Sequence, residues 1–136
     1  MRIQLAAVSL VLSLASSSCV LAVAAVAGAA VFGAVKYTEN GIERDFRQDL
    51  AQCFEAAKAT MREAGHAIAA DAQPGPTEGT LTSGDTVIRL TRQAGPSASS
   101  DDDFTRIAVK VGTFDSDETK RQATLLMDAI VRRLGE

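Results

Sequence analysis

The sequence predicts an α+β domain: an antiparallel sheet of about four to five strands with two helices packed on one face, preceded by an N-terminal signal and apolar tether. Three observations carry this expectation. Residues 46–65 and 115–134 repeat apolar side chains at helical spacing. Residues 77–82, 86–92 and 104–111 alternate apolar and polar side chains in steps of two. Much of the remaining apolar content crowds into residues 3–35, so the 46% hydrophobic composition overstates the domain's own core. Beyond Val35 roughly 100 residues remain, enough for one small domain (37–136) and too few for two.

The chain starts with Met1-Arg2, a minimal basic segment, then runs nearly all apolar through IQLAAVSLVLSLA (3–15) to Ser16, Ser17, Ser18 and Cys19. A basic start, an apolar core and small residues describe an export signal. Small residues running into a cysteine resemble the lipobox of bacterial lipoproteins, with one departure: Ser16 stands where the pattern prefers an aliphatic. The resemblance implies removal of a signal peptide (1–18), diacylation of Cys19 on sulfur and acylation of its new amino group. Residues 19–36 then form the lipidated Cys and an Ala/Gly-rich apolar tether. Each buried methylene contributes about 0.8 kcal/mol, and two or more chains anchor stably in membrane lipid. Because Val20, rather than Asp, follows the Cys, the resemblance also implies the outer membrane where the cell has one, with the domain in the periplasm of a bacterial cell envelope.

The alternative is an uncleaved signal anchor. Residues 20–35 alone would make a helix of about 24 Å, short of the roughly 30 Å hydrocarbon core. Joined to residues 3–15, the segment is long enough to span. Ala24 with Gly28, and Ala25 with Ala29 and Gly33, have the small-xxx-small spacing that lets helix backbones approach closely. Gly28 and Gly33 would then make a bitopic protein self-associate as an envelope assembly component; the other reading is a flexible tether.

Charge and composition narrow the function. A net charge of -3 argues against nucleic acid, and one Tyr with no Trp leaves no platform for base stacking. Cys53 falls on an apolar helix face, where a free Cys behaves as a small hydrophobe; a Cys19–Cys53 disulfide is open only to an unacylated chain. His66 is the one histidine, so neither a metal ligand set nor a nucleophile–base pair is evident. No cofactor and no enzymatic activity are expected.

In chain order, polar residues 36–44 suggest a short edge strand with a bend or bulge at Gly41. Phe46, Leu50, Cys53, Phe54, Ala57 and Met61 make one helical stripe, with Asp45 as cap and Gly65 at the left-handed C′ position. Residues 66–72 suggest a weak strand entering the core through Ile68, with His66 capping the helix end. Gln73-Pro74-Gly75-Pro76 is a loop. Ser83-Gly84-Asp85 joins two alternating runs as a hairpin, Ile88 and Leu90 on one side and Arg89 and Arg92 bracketing the ladder. Residues 94–103 form a loop whose Asp101-Asp102-Asp103 lacks the glycine and closing Glu of a calcium loop, so it reads as solvated acid. Thr105, Ile107, Val109 and Val111 face one side of a strand, and Arg106, Ala108 and Lys110 the other. Asp115 or Ser116 caps the last helix, with Glu118 completing a capping box from Asp115. Its stripe is Ala123, Leu126, Met127, Ile130 and Leu134, and Arg132 and Arg133 suit its C-terminal end.

The segment IAVKVGTFDSDE (107–118), followed by an apolar helix to Leu134, resembles the closing signature of small bacterial envelope lipoproteins of the domain-of-unknown-function 3568 family. The order of signal with Cys, Ala/Gly run, strand, helix ending at Gly, hairpin and V-G-T-F turn is similar to that family over nearly the whole chain. It departs at the long acidic loop 94–103 and at Asp115, where the family carries Gly. The resemblance implies location and fold, not chemistry.

Two helices on one face leave the other face of the sheet uncovered. That face carries Arg89, Arg106 and Lys110 beside small residues, and is the expected surface for an envelope protein partner or a homo-oligomer.

Overall fold

A computed structural model describes residues 32–97 and 99–136; Cys19 and Gly28 lie outside the described residues. Strands β1 (Lys36–Thr38), β2 (Gly41–Phe46), β3 (Glu78–Ser83), β4 (Thr86–Gln93) and β5 (Phe104–Val111) form one antiparallel sheet in the order β1-β2-β5-β4-β3. Helices α1 (Leu50–Glu63) and α2 (Asp117–Leu134) pack on the same face of it. The α+β architecture and its helix count on one face are those expected.

Residues 36–44 are a hairpin rather than a single edge strand. Thr38 donates its hydroxyl to the Gly41 carbonyl across the turn, and β2 lies between β1 and β5. Gly41 has φ +149°, and a side chain there would run into the Val109 carbonyl, so glycine permits the close approach of β2 to β5. Phe46 and Asp45 end β2 instead of opening a helix. The cap of α1 is Asp49, whose carboxylate accepts from the Gln52 amide at 2.7 Å. At its other end Gly65 (φ +87°) donates to the Arg62 carbonyl and His66 N–H to the Met61 carbonyl, the paired bonds of a Schellman motif.

Residues 66–72 form no strand. Two of their carbonyls are taken by side chains of α1, Ala69 by Arg62 at 3.0 Å and Ala72 by Lys58 at 3.2 Å, while Ile68 and Ala72 pack against the core. The β3–β4 hairpin turns on two residues, with Gly84 (φ +59°) at the first, the place a type II′ turn gives to glycine. The acidic loop is not wholly solvated: Asp103 pairs with Arg92 at 2.7 Å, and Ser100–Asp102 closes a short 3-10 turn.

After β5, Phe114 takes φ +59°, uncommon for a residue with a side chain, and buries its ring at 4% exposure. The capping box of α2 uses Ser116 and Thr119 rather than Asp115 and Glu118. Asp115 is engaged by the Thr113 hydroxyl at 2.6 Å.

The core lies between the helices and the inner sheet face. Ile42, Phe46, Ile88, Leu90, Ile107 and Val109 from the sheet meet Cys53, Phe54, Met61, Ala123, Met127 and Ile130 from the helices, all essentially inaccessible. Tight turns at residues 39–40, 84–85 and 112–116 gather at one pole. Phe32, the start of α1, the 94–103 loop and the end of α2 gather at the other. There Gln48 donates to the Leu134 carbonyl, and Arg44, 3.9 Å from where a Gly33 side chain would begin, reaches Glu136 at 3.3 Å.

Candidate functional site

Pleating sends every second strand residue outward, and strand register aligns these residues in rows across the uncovered face. One row holds Thr80, Arg89, Ala108, Glu43 and Lys36, from β3 through β4, β5 and β2 to β1. The next, toward the pole where Phe32 lies, holds Glu78, Thr91, Arg106 and Asp45. Toward the turn pole lie Thr82, Val87 and Lys110. Arg89, Arg106, Lys110, Glu43, Val87 and Ala108 share one trough of about 380 Å³. All three basic residues expected on this face are therefore together on it.

They are not equivalent. Arg106 grips Asp45 with two bonds, Nε–Oδ1 at 2.7 Å and Nη2–Oδ2 at 3.0 Å. The Asp45 side chain is only 10% exposed, and its hydrogen bonds push the guanidinium pKa above its usual value. Arg106 is thus neutralised within the chain. Arg89 and Lys110 have no ion-pair partner among the described residues. Ala108 stands between Arg89 and Glu43, so its small side chain leaves the middle of the trough open.

At its lower end the face is partly closed by the incoming chain. Phe32 bridges in parallel to Asp45 and sets its ring edge-on to Phe104 at 5.9 Å, with Arg47 stacked 4.7 Å from the Phe32 centroid. Gly33 follows with φ +84°.

A second hollow of about 490 Å³ lies between α1, α2 and the β3–β4 turn. Its lining includes His66, Glu63, Asp85, Leu125 and Leu126. His66 caps α1 through its main-chain N–H. Arg133 holds the Glu63 carboxyl below the usual carboxylate range. Thr60 Oγ1, at the same hollow, is buried with no hydrogen-bond partner among the described residues.

Cys53 is fully buried; its thiol points to the Gln48 carbonyl at 3.7 Å, and burial pushes its pKa up to about 12. A thiol so disfavoured as thiolate is a poor nucleophile. No group of three His, Cys, Asp or Glu among the described residues could hold a metal ion. No helix among the described residues is long and apolar enough to cross a membrane.

The family model described as "Protein of unknown function (DUF3568)" matches residues 2–133. No curated protein matches the chain.

Proposed function

The chain belongs to the family described as Protein of unknown function (DUF3568), and we propose that it is a non-enzymatic envelope protein, anchored in membrane lipid through acylated Cys19, whose uncovered sheet face is its interaction surface. The observation that carries the surface is the placement of both helices on one side of the sheet, with Arg89 and Lys110 on the other, unpaired among the described residues. A cation already on the surface and lacking an internal carboxylate is available to an acidic partner, and such complementarity steers association and fixes register. The anchor is supported by the small-residue approach to Cys19 after a basic and apolar start. Residues 19–36 then set the folded domain in the periplasm, at the outer membrane.

Two measurements test the parts separately. Intact mass of the membrane-fraction protein beginning at Cys19 with three acyl chains supports the anchor; a mass beginning at Met1 replaces it with the bitopic signal anchor. Photo-crosslinking residues introduced at Val87 and Thr91, against controls at Arg121 and Asp128 on α2, test the face. Adducts from the sheet positions alone support the surface, and equal yields from both sets overturn it.

A further inference from the structure

The register of the uncovered face points to what it binds. β5 is the middle strand of five, with β4 and β3 on one side and β2 and β1 on the other. A two-fold axis lying along β5, between two such sheets, sets β4 of one copy over β2 of the other and β3 over β1. Arg89 and Glu43 occupy the same row, one strand to either side of Ala108. The rotation therefore places each Arg89 opposite Glu43 of the partner subunit, twice over, with Ala108 near the partner's Ala108. Lys36, at the end of that row, falls one row from the partner's Glu78.

We propose that the interaction surface is one half of a symmetric homodimer: two copies pack open face on open face about an axis along β5, joined by reciprocal Arg89–Glu43 ion pairs. This rests on the reading of that face as the interaction surface and names its occupant. Two-fold interfaces use one self-complementary patch on both copies, and sheets stack about 10 Å apart at roughly 30°, a gap that Arg and Glu side chains bridge together. The small Ala108 leaves room at the centre. An axis across the strands through this row would instead set Arg89 against its own copy, and like charges across an interface are unfavourable. Arg106 does not interfere, because Asp45 neutralises it in its own chain.

The same axis brings Lys110 near its own copy, and this separates a second copy from an acidic stranger. Removing Lys110 tightens a homodimer and weakens a complex with an anionic partner.

The test is a short bis-maleimide crosslink through Ala108→Cys in the full-length chain, in membranes. The parent chain is the background control; Cys53, buried with its thiol pushed up to about 12, stays silent. We expect a homodimer adduct that falls roughly tenfold with Arg89→Glu or Glu43→Arg, returns in the double charge swap, and rises with Lys110→Ala. Unchanged circular dichroism certifies that each variant is folded. No homodimer adduct, or a double swap that stays monomeric, overturns the proposal. A different protein captured at Ala108→Cys in place of the homodimer overturns the second copy and leaves the interaction surface standing; no adduct of any kind, together with no photo-adduct from Val87 or Thr91, removes both.

Discussion

Gly79 on β3 faces inward against the ring of Phe54 on α1. A methyl group there would sit 2.7 Å and 2.8 Å from two ring carbons and 3.1 Å from Pro74 Cβ. Carbon atoms pack at about 3.5–4.0 Å, so Gly79→Ala forces an overlap of about 1 Å. Phe54 is 1% exposed and cannot slide aside, and β3 is held to β4 along its full length. Overpacking of this kind costs typically about 1–3 kcal/mol. Against it stands the entropy removed from the unfolded chain, worth about 0.4–1 kcal/mol when Gly becomes Ala. The steric term wins, and we expect a net loss of about 1–2 kcal/mol. In urea unfolding followed by circular dichroism, the midpoint falls by roughly 0.5–1 M at unchanged slope. Adding Phe54→Leu to Gly79→Ala should cost less than the two single losses combined, because the smaller side chain makes room for the methyl. A neutral or stabilising Gly79→Ala, or strict additivity in the pair, would refute the reasoning.

Ser116→Ala should cost about 1 kcal/mol by removing the acceptor of the Thr119 amide, measured as a drop in the thermal midpoint. Asp45→Asn should cost about 1–2 kcal/mol in the same assay, less than a fully buried pair because Arg106 is 39% exposed and water can solvate it. Cys53 predicts loss of stability in alkali. Its folded pKa, about 12, lies above the ordinary 9.0, so the folded state holds the proton more tightly; the contribution is whole below pH 9 and declines as pH rises toward 12. Cys53→Ala should flatten that alkaline decline in denaturation curves. Glu63 has the opposite sign. Its carboxyl is depressed by Arg133, so its contribution is present above the unfolded pKa and is lost as pH falls through the depressed value; Glu63→Gln should make unfolding less sensitive to acid.

The elements most legible in the sequence were those whose period admits one reading. Residues 104–111 alternate without interruption and form β5 with the inner and outer faces expected. The last helix buries the stripe from Ala123 to Ile130, with Leu134 packed against its edge. Phe46 misled because it fits two periods: it lies four before Leu50 on a helical stripe and two steps from Ile42 on a strand. With Phe46 drawn into the helix, Asp45 became the cap, although Asp49 stands equally well before the apolar run. What Asp45 does is visible only in register, since Arg106 is 61 residues away in sequence. Residues 66–72 pack Ile68 and Ala72 against the core but have no ladder partner, a lack that sequence alone does not reveal. For the candidate site, strand alternation was enough to put Arg89, Arg106 and Lys110 on one face. Pairing of strands distant in sequence was needed to see that one of the three is neutralised and that Glu43 shares a row with another.

Arg44 has a consequence for engineering. It lies beside Gly33 and bonds Glu136, so two points more than a hundred residues apart along the chain meet on one guanidinium. A short glycine-rich linker could splice residue 136 to residue 34, and the ring could be reopened at the Gly84-Asp85 turn, where added atoms meet open space. Such a rearranged molecule would keep the five described strands in register and carry its new ends at the far pole, opposite the place where the natural chain enters.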